Sequence, residues 1–341
     1  MKTRLIVLLS VASVFGLNMV RAQGNNSGVV VKLDPALDRI VAADAKLEKL
    51  FEGHGTFEGP TWIQAGATGY LIFSEIQGGV MHKFEADGKT SIFLDHIFTG
   101  PDPSLAPANL GSNAERMLGS NGTTLDRQGR IVFCSVGNRS VERLEKDGKR
   151  TVLADRFEGK KFNTPNDLVV KSDGSIYFTD TRVDLQRPDD DPQKGEPFAG
   201  VYLIKDGKVS LLAKDLTTPN GLAFTPDEKH LYVIEGMKKL IDRYDVQPDD
   251  TIANRALFVD MNSDQAPGGP DGMKIDKLGN VYSTGPGGVW IMSAEGKHLG
   301  TILAPERLTN LTFGGRDAKT LYITSFMALY RIQLKTAGLR Q

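Results

Sequence analysis

The sequence predicts an all-β fold, a six-bladed β-propeller with four-stranded blades around a central channel. Three features carry this prediction. β-Branched and aromatic runs alternate with Asp-Gly, Asn-Gly and Pro-Asp steps, helical periodicity is scarce after about residue 45, and one phrase recurs six times. The phrase is a turn followed by a short apolar strand, and its copies follow one another at steps of 40–60 residues, as propeller blades do. Its equivalent apolar positions are Leu71, Ile131, Ile176, Leu231, Val281 and Leu321.

A hairpin-like segment follows most copies of this phrase and completes a unit of about four short strands. The sixth unit ends at "ALYRIQL" (328–334) and is one strand short. We expect "LEKLFEG" (47–53) to supply the missing strand, because closing the ring leaves no long unpaired edge.

The N-terminus resembles an export signal. Lys2 and Arg4 precede an apolar run at 5–17 that is short for a bilayer span, and small residues then predict cleavage after Ala22. We therefore expect a periplasmic or secreted protein; the alternative is an uncleaved membrane anchor.

The chain divides into four predicted parts. These are a signal peptide at 1–22, an N-terminal extension at 23–46, the propeller at 47–335 and a C-terminal tail at 336–341.

Composition narrows the class of partner. The 341 residues carry a formal net charge of −1, which gives no electrostatic reason to bind nucleic acid or, after signal cleavage, a membrane. We expect a small-molecule substrate and a monomer or weak dimer. Cys134, the sole cysteine, lies in an apolar run and is expected to be a buried, inert thiol.

A polar residue precedes the first strand of every unit. It stands 10 or 11 residues before the apolar position in five units and 13 before it in the first. The first strand of a propeller blade lies innermost, so these side chains are expected to form one ring at one end of the channel. The predicted ring is Glu58, Asn121, Asn166, Asn220, Asp271 and Asn310.

Carboxylate and amide oxygens are hard ligands and predict Ca²⁺. Mg²⁺, Mn²⁺ or Zn²⁺ are alternatives, with zinc disfavoured because the ring holds no His or Cys. Any one Asn or Asp could instead be a turn residue, but Glu58 is poorly suited to a turn.

Five motifs occur in order along the chain: "FEGPTW", "TPNDLVVKSDGSIYFTD", "PNGLAFTPDEKHLYV", "GGPDGMKIDKLGNVYSTGPGGVWIMSAEGKHLG" and "LTNLTFGGRDAKTLYITS". They resemble the senescence-marker-protein/gluconolactonase/luciferin-regenerating-enzyme family, most closely its bacterial gluconolactonase-like branch. The resemblance covers about residues 50 to 333 and implies a six-bladed propeller, a divalent metal, usually calcium, at the channel mouth, and lactone hydrolysis.

The resemblance also implies residue roles. It makes Glu58, Asn166, Asn220 and Asp271 the metal ligands, and Asp271 also the catalytic ligand. Animal members carry a sugar-contacting Arg just before the Asn-Asp pair, whereas this chain has Asn163 and no Arg there. We assign substrate binding to Asn121, Asn163 and Asn310.

The expected reaction is hydrolysis of a sugar lactone by metal polarisation of the carbonyl and general-base activation of water. Asp271 is favoured as base and ligand together; Asp167 is the second candidate, with a role in orienting Asn166 or capping a turn as its alternative. Long loops at 98–120 and 181–200 are expected to form the substrate rim. Two other functions stay open: a metal-dependent esterase or phosphotriesterase, and a non-catalytic propeller with a structural Ca²⁺.

Overall fold

The computed structural model describes residues 29–108, 115–181 and 195–339. The predicted signal peptide lies outside the described residues, as do the middle of loop 98–120, most of loop 181–200 and the end of the C-terminal tail. In the described part of the chain, none of the helices combines the length and apolarity needed to cross a membrane.

The described residues form strands and two short 3₁₀ helices, Pro35–Arg39 and Pro103–Leu105. The strands of the first half of the chain are β1 (Val30–Lys32), β2 (Glu48–Glu52), β3 (Phe57–Ala65), β4 (Thr68–Glu75), β5 (Val80–Glu85), β6 (Thr90–Leu94), β7 (Ser120–Leu125), β8 (Ile131–Ser135), β9 (Ser140–Leu144), β10 (Arg150–Ala154), β11 (Arg156–Phe157), β12 (Lys160–Lys161), β13 (Thr164–Val170) and β14 (Ile176–Thr181). Those of the second half are β15 (Gly200–Lys205), β16 (Lys208–Ala213), β17 (Pro219–Phe224), β18 (His230–Glu235), β19 (Leu240–Val246), β20 (Ile252–Asp260), β21 (Met273–Ile275), β22 (Val281–Gly285), β23 (Gly288–Met292), β24 (His298–Leu303), β25 (Leu308–Gly314), β26 (Thr320–Ser325) and β27 (Ala328–Gln333).

These strands build six antiparallel blades, so the predicted propeller is confirmed. The first five are β3–β6, β7–β10, β13–β16, β17–β20 and β21–β24, and β11 and β12 form a separate small hairpin. The sixth is β25–β27 with β2 as its outer strand, which confirms the predicted closure. In addition, β1 pairs with β24 and gives the fifth blade a fifth strand.

The first strands of the blades line the channel. β3, β7, β13, β17, β21 and β25 each contact the next, and β25 returns to β3. Apolar side chains fill the wedges between blades; for example, Trp62 of β3 stacks on Tyr322 of β26 with ring centroids 5.5 Å apart. Cys134 is fully buried in such a layer, and burial raises the pKa of its thiol well above the ordinary value, as expected for an inert cysteine.

Nearly every inner strand is broken by a β-bulge near the same height, which in the first blade lies one residue further along the strand than in the others. Two residues there oppose one residue of the neighbouring strand, so the ladder is interrupted and side chains are turned toward the axis. The register shifts fall between Glu58 and Thr61, Ser120 and Thr123, Pro165 and Leu168, Pro219 and Leu222, and Leu308 and Leu311. In the fifth blade the inner strand starts only at Met273, just after the Asp-Gly step. The bulges coincide with the predicted polar ring.

Candidate active site

Five of the six predicted ring residues occupy equivalent positions in successive blades. They are Glu58, Asn121, Asn166, Asn220 and Asp271. Backbone hydrogen bonds between neighbouring inner strands fix this register: Gly221 N–H donates to the carbonyl of Asp271, and Gly272 N–H donates to the carbonyl of Thr309, both at 2.8 Å. The residue of the sixth blade that corresponds to Asp271 is therefore Thr309.

The predicted sixth ring position, Asn310, is thus wrong by one residue. The cause is the turn between β25 and β26. The paired residues that flank it, Phe313 and Leu321, are one step further apart in sequence than Phe224 and Leu231 of the fourth blade. The Thr309 hydroxyl donates to the carbonyl of Phe57 at 2.6 Å and so closes the ring between the sixth and first blades.

The first tier consists of the equivalent positions Glu58, Asn121, Asn166, Asn220, Asp271 and Thr309. Asn310 belongs to a second tier, one residue further along each inner strand. Four members of this tier are glycines (Gly59, Gly122, Gly221 and Gly272), and only Asp167 and Asn310 carry side chains. A Cβ on Gly122 would lie 2.3 Å from Asp167 Oδ1, and one on Gly272 would lie 2.1 Å from Asn310 Oδ1. Gly122 and Gly272 therefore leave the space that these two side chains fill.

Asp167 and Asn310 come from opposite blades and meet across the channel. The Asn310 amide nitrogen donates to Asp167 Oδ2 at 3.3 Å and to Glu58 Oε2 at 3.1 Å. Each side chain also accepts the following backbone N–H through its Oδ1 at 2.8 Å, which shows that the two positions are equivalent. Asn310 is buried, so the structure places it among the carboxylates, beneath the first tier.

The carboxylates of the two tiers are short of positive charge. Burial, followed by the charges of Asp271 and Asp167, holds the pKa of Glu58 well above its ordinary value. Burial raises the pKa of Asp271 to about 6, although Arg307 and a hydrogen bond from Asn220 act in the opposite direction. Burial likewise raises the pKa of Asp167, although the charge of Lys274 acts in the opposite direction. Arg307 Nη2, 3.8 Å from Asp271 Oδ2, is the nearest partner of that carboxylate among the recorded ion pairs of the described residues.

The donor set suits a hard cation. The Oδ1 atoms of Asn121 and Asn166 are buried and have no hydrogen-bond partner in the described part of the chain, an arrangement that is costly unless a ligand completes it. They accompany the buried carboxylate of Glu58 and the partly exposed carboxylate of Asp271, and amide and carboxylate oxygens are the ligands that Ca²⁺ prefers. The fit depends on these amides, because the described residues hold no metal-binding group of three or more His, Cys, Asp or Glu side chains.

A pocket with a cavity volume of about 450 Å³ opens on this end of the channel and is called the mouth pocket below. That volume lies within the range of small-molecule sites. Its walls come from the third to the sixth blades, and they include Asn166, Asn220, Lys239, Pro270 and Arg307. Lys239 and Arg307 are absent from the sequence-based predictions.

Asn163, predicted to bind substrate, lies apart from this pocket. It is fully buried, its amide nitrogen donates to the carbonyl of Phe198 at 2.9 Å, and its backbone N–H donates to Asp180 at 2.8 Å. Its Oδ1 has no partner within the described residues. The structure therefore brings together the five predicted first-tier residues, Asp167 and Asn310, but not Asn163.

The fold is that of a six-bladed propeller. At one end of its channel, carboxylates and amides suited to a hard cation accompany a pocket of small-molecule size. Residues 56–327 match the family model described as the SMP-30/Gluconolactonase/LRE-like region, and the chain belongs to this family. The predicted family is confirmed.

Relatives match over most of the chain. A gluconolactonase of Zymomonas mobilis is 33% identical over 325 residues, which covers 92% of this chain and 88% of the relative. The solved structure of XC5397 from Xanthomonas campestris, a gluconolactonase, superposes with a TM-score of 0.74 at 31% identity and covers 89% of this chain and 94% of that one. A regucalcin of Danio rerio is 35% identical over 185 residues, 52% of this chain and 59% of the relative.

Proposed function

We propose that this protein is a hydrolase that opens a sugar lactone in the mouth pocket, with a divalent cation, in the first place Ca²⁺, held by Glu58, Asn166, Asn220 and Asp271. One observation carries the proposal: within the described residues, the buried amide oxygens of Asn121 and Asn166 have no hydrogen-bond partner, and Asn166 also lines a pocket of sugar size. The gluconolactonase relatives, which match nearly the whole chain, support lactone hydrolysis as the reaction.

A bound divalent cation would polarise the lactone carbonyl and offset the negative charge that develops on its oxygen. Asp271 is our candidate for the group that takes a proton from the attacking water, since its side chain is 13% exposed and the preceding residue, Pro270, lines the pocket. The backbone N–H of Asp271 donates to the Thr284 hydroxyl at 2.8 Å, and Asn220 hydrogen-bonds its carboxylate, so the group is held in orientation.

Asp167 has the geometry of a positioning residue. It is 2% exposed, and both of its carboxylate oxygens already accept hydrogen bonds, from Leu168 and Asn310. The Asn310 amide donates to both Asp167 and Glu58. The negative charge of Asp167 therefore orients the amide of Asn310, which in turn positions the proposed metal ligand Glu58. These contacts support Asp271 as the base in preference to Asp167.

The test is a substrate panel on the purified protein with and without a chelator. We expect hydrolysis of aldonolactones that chelation abolishes and added Ca²⁺ restores. Turnover of aryl esters or phosphotriesters without lactones would move the protein to the esterase or phosphotriesterase class. Ca²⁺ binding without turnover of any substrate would support a structural ion, and lactone turnover that chelation leaves unchanged would contradict the metal-dependent mechanism.

We further propose that the protein is exported, on the basis of the basic start, the short apolar run and the small residues that end at Ala22. Expression of the whole chain in a Gram-negative host should yield a periplasmic or secreted protein whose intact mass corresponds to a start at Gln23. A full-length product in the membrane pellet would instead support the uncleaved anchor.

A further inference from the structure

We propose that the substrate carries an anionic group in addition to its lactone, and that Arg307 and Lys239 bind this group. The inference rests on the proposed lactonase function and names its substrate class: an aldonolactone with a carboxylate, phosphate or similar acid substituent. The two cations line the mouth pocket from different blades, Lys239 from the turn between β18 and β19 and Arg307 from the segment before β25.

Arg307 is held in place while its donors remain available. Its guanidinium lies 5.3 Å from the centroid of the Phe326 ring, a cation–π contact that positions it. Its ion pair with Asp271 is long, at 3.8 Å, and its side chain is 55% exposed. Within the described residues no hydrogen bond of this guanidinium is recorded. A planar guanidinium with available N–H groups suits two-point recognition of a carboxylate or phosphate.

Lys239 approaches the same segment of chain from the other side. A Cβ on Gly269 would lie 3.8 Å from Lys239 Cγ and 3.9 Å from Cε, so the lysine stem runs along the backbone two residues before Asp271. Its ammonium forms no ion pair among the described residues. The two cations therefore flank the residues that lead into the proposed catalytic carboxylate.

The charge balance of the mouth favours an anion. A dication would offset two of the three carboxylates of Glu58, Asp167 and Asp271. The positive charges of Lys239 and Arg307 then exceed the one negative charge that is left, and Lys274 adds a further positive charge near Asp167. Further acids at this end are already engaged. Asp180 and Glu235 each accept two backbone N–H groups at the beginning of an inner strand, and Glu75 lies 2.6 Å from His82. Glu306 accepts the Tyr330 hydroxyl at 2.6 Å. A loaded site would thus attract a negative substituent.

The decisive kinetic comparison uses D-glucaro-1,4-lactone and D-glucono-1,4-lactone. They share one ring and differ at C6, which is a carboxylate in the first and a hydroxymethyl group in the second. We expect wild type to prefer the anionic lactone in kcat/KM by about tenfold or more, with a preference that shrinks as salt is added. Arg307→Gln and Lys239→Gln should each reduce the ratio several-fold, whereas Arg307→Lys should keep part of it.

Two matched controls separate this effect from a general loss of charge. Arg127→Gln and Lys146→Gln remove exposed cations at blade turns that do not line the mouth pocket, and they should leave the ratio unchanged. Equal kcat/KM for the two lactones in wild type, or an unchanged ratio in both mouth variants, would overturn the proposal while leaving lactone hydrolysis intact.

A binding experiment gives a readout that does not need turnover. Calorimetric titration of the Ca²⁺-loaded full chain with D-gluconate, D-glucarate and 6-phosphogluconate should show tighter binding of the two that carry a second acidic group, and the better of these two identifies carboxylate or phosphate as the preferred substituent. The advantage should be lost in Arg307→Gln. If no lactone is hydrolysed but this pattern holds, the anion site stands and the lactonase proposal falls. If all three ligands bind alike, the anion site falls.

Discussion

Replacing Asp271 with Asn is expected to lower kcat/KM for the lactone by about a hundredfold to ten-thousandfold. The substitution keeps the shape of the side chain but removes both a proton acceptor and a negative ligand charge, and loss of a general base alone typically costs this much. The backbone of Asp271 is fixed by its bond to Thr284, so the variant should fold. Initial rates at saturating Ca²⁺ measure the effect.

Two further variants show which role Asp271 has. Asp167→Asn should cost much less, because Asp167 acts through Asn310 and has no free oxygen for a water molecule. Asp87→Asn, in an exposed turn between β5 and β6, should retain wild-type rates. If excess Ca²⁺ fully restored the kcat/KM of Asp271→Asn, Asp271 would act only as a metal ligand and not as the base. A larger loss in Asp167→Asn would make Asp167 the base.

The repeat architecture could be predicted because every blade repeats one local sequence pattern. A turn followed by an apolar strand recurs six times, and the missing strand of the last blade has one suitable candidate in 47–53. The fifth strand of the fifth blade could not be predicted in this way. β1 has three residues, too few for an alternating pattern, and only its pairing with β24 defines it.

Only the part of the site that follows from counting residues along each repeat could be predicted from the sequence. Counting back from the apolar positions found five first-tier residues, but one extra residue in the turn before β26 displaced the sixth, from Thr309 to Asn310. The second tier depends on bulges and on two glycines, Gly122 and Gly272, that make room for the side chains of Asp167 and Asn310, and residue counting reveals neither feature. Lys239 and Arg307 are far apart in sequence, and only the ring geometry brings them to one pocket.

Removing the cation is expected to destabilise the protein by an amount that depends on pH. Ligand binding to the folded state alone adds about 2.7 kcal/mol when the free cation is at 100 times its Kd. In the chelated protein the folded pKa values of Glu58 and Asp271 lie above their unfolded values. Such acids contribute stability that is fully present below their unfolded pKa and is lost as pH rises through the folded pKa, about 6 for Asp271. The chelated protein should therefore have a higher Tm near pH 5 than near pH 7.5.

Ca²⁺ should reverse this trend at the site, because the bound cation favours the ionised carboxylates and competes with protons for them. The rise in Tm on adding Ca²⁺ should thus be small near pH 5 and largest near pH 7.5. Scanning calorimetry of chelated and Ca²⁺-loaded samples measures this rise. Burial also raises the pKa of Asp180, which lies outside the ring, to about 7. Asp180 affects the chelated and the loaded samples alike, so its contribution cancels in the difference between their Tm values.

Glu58→Gln distinguishes this linkage from a general effect of salt. The variant keeps an oxygen and the size of the side chain but removes one charge from the buried cluster. Its chelated form should therefore be more stable than chelated wild type near pH 7.5, while its gain from Ca²⁺ should be smaller. Exposed Glu295→Gln, in the turn between β23 and β24, should change neither quantity. A Ca²⁺ effect that is independent of pH, or equal in both variants, would mean that the carboxylates of the channel mouth do not bind the cation.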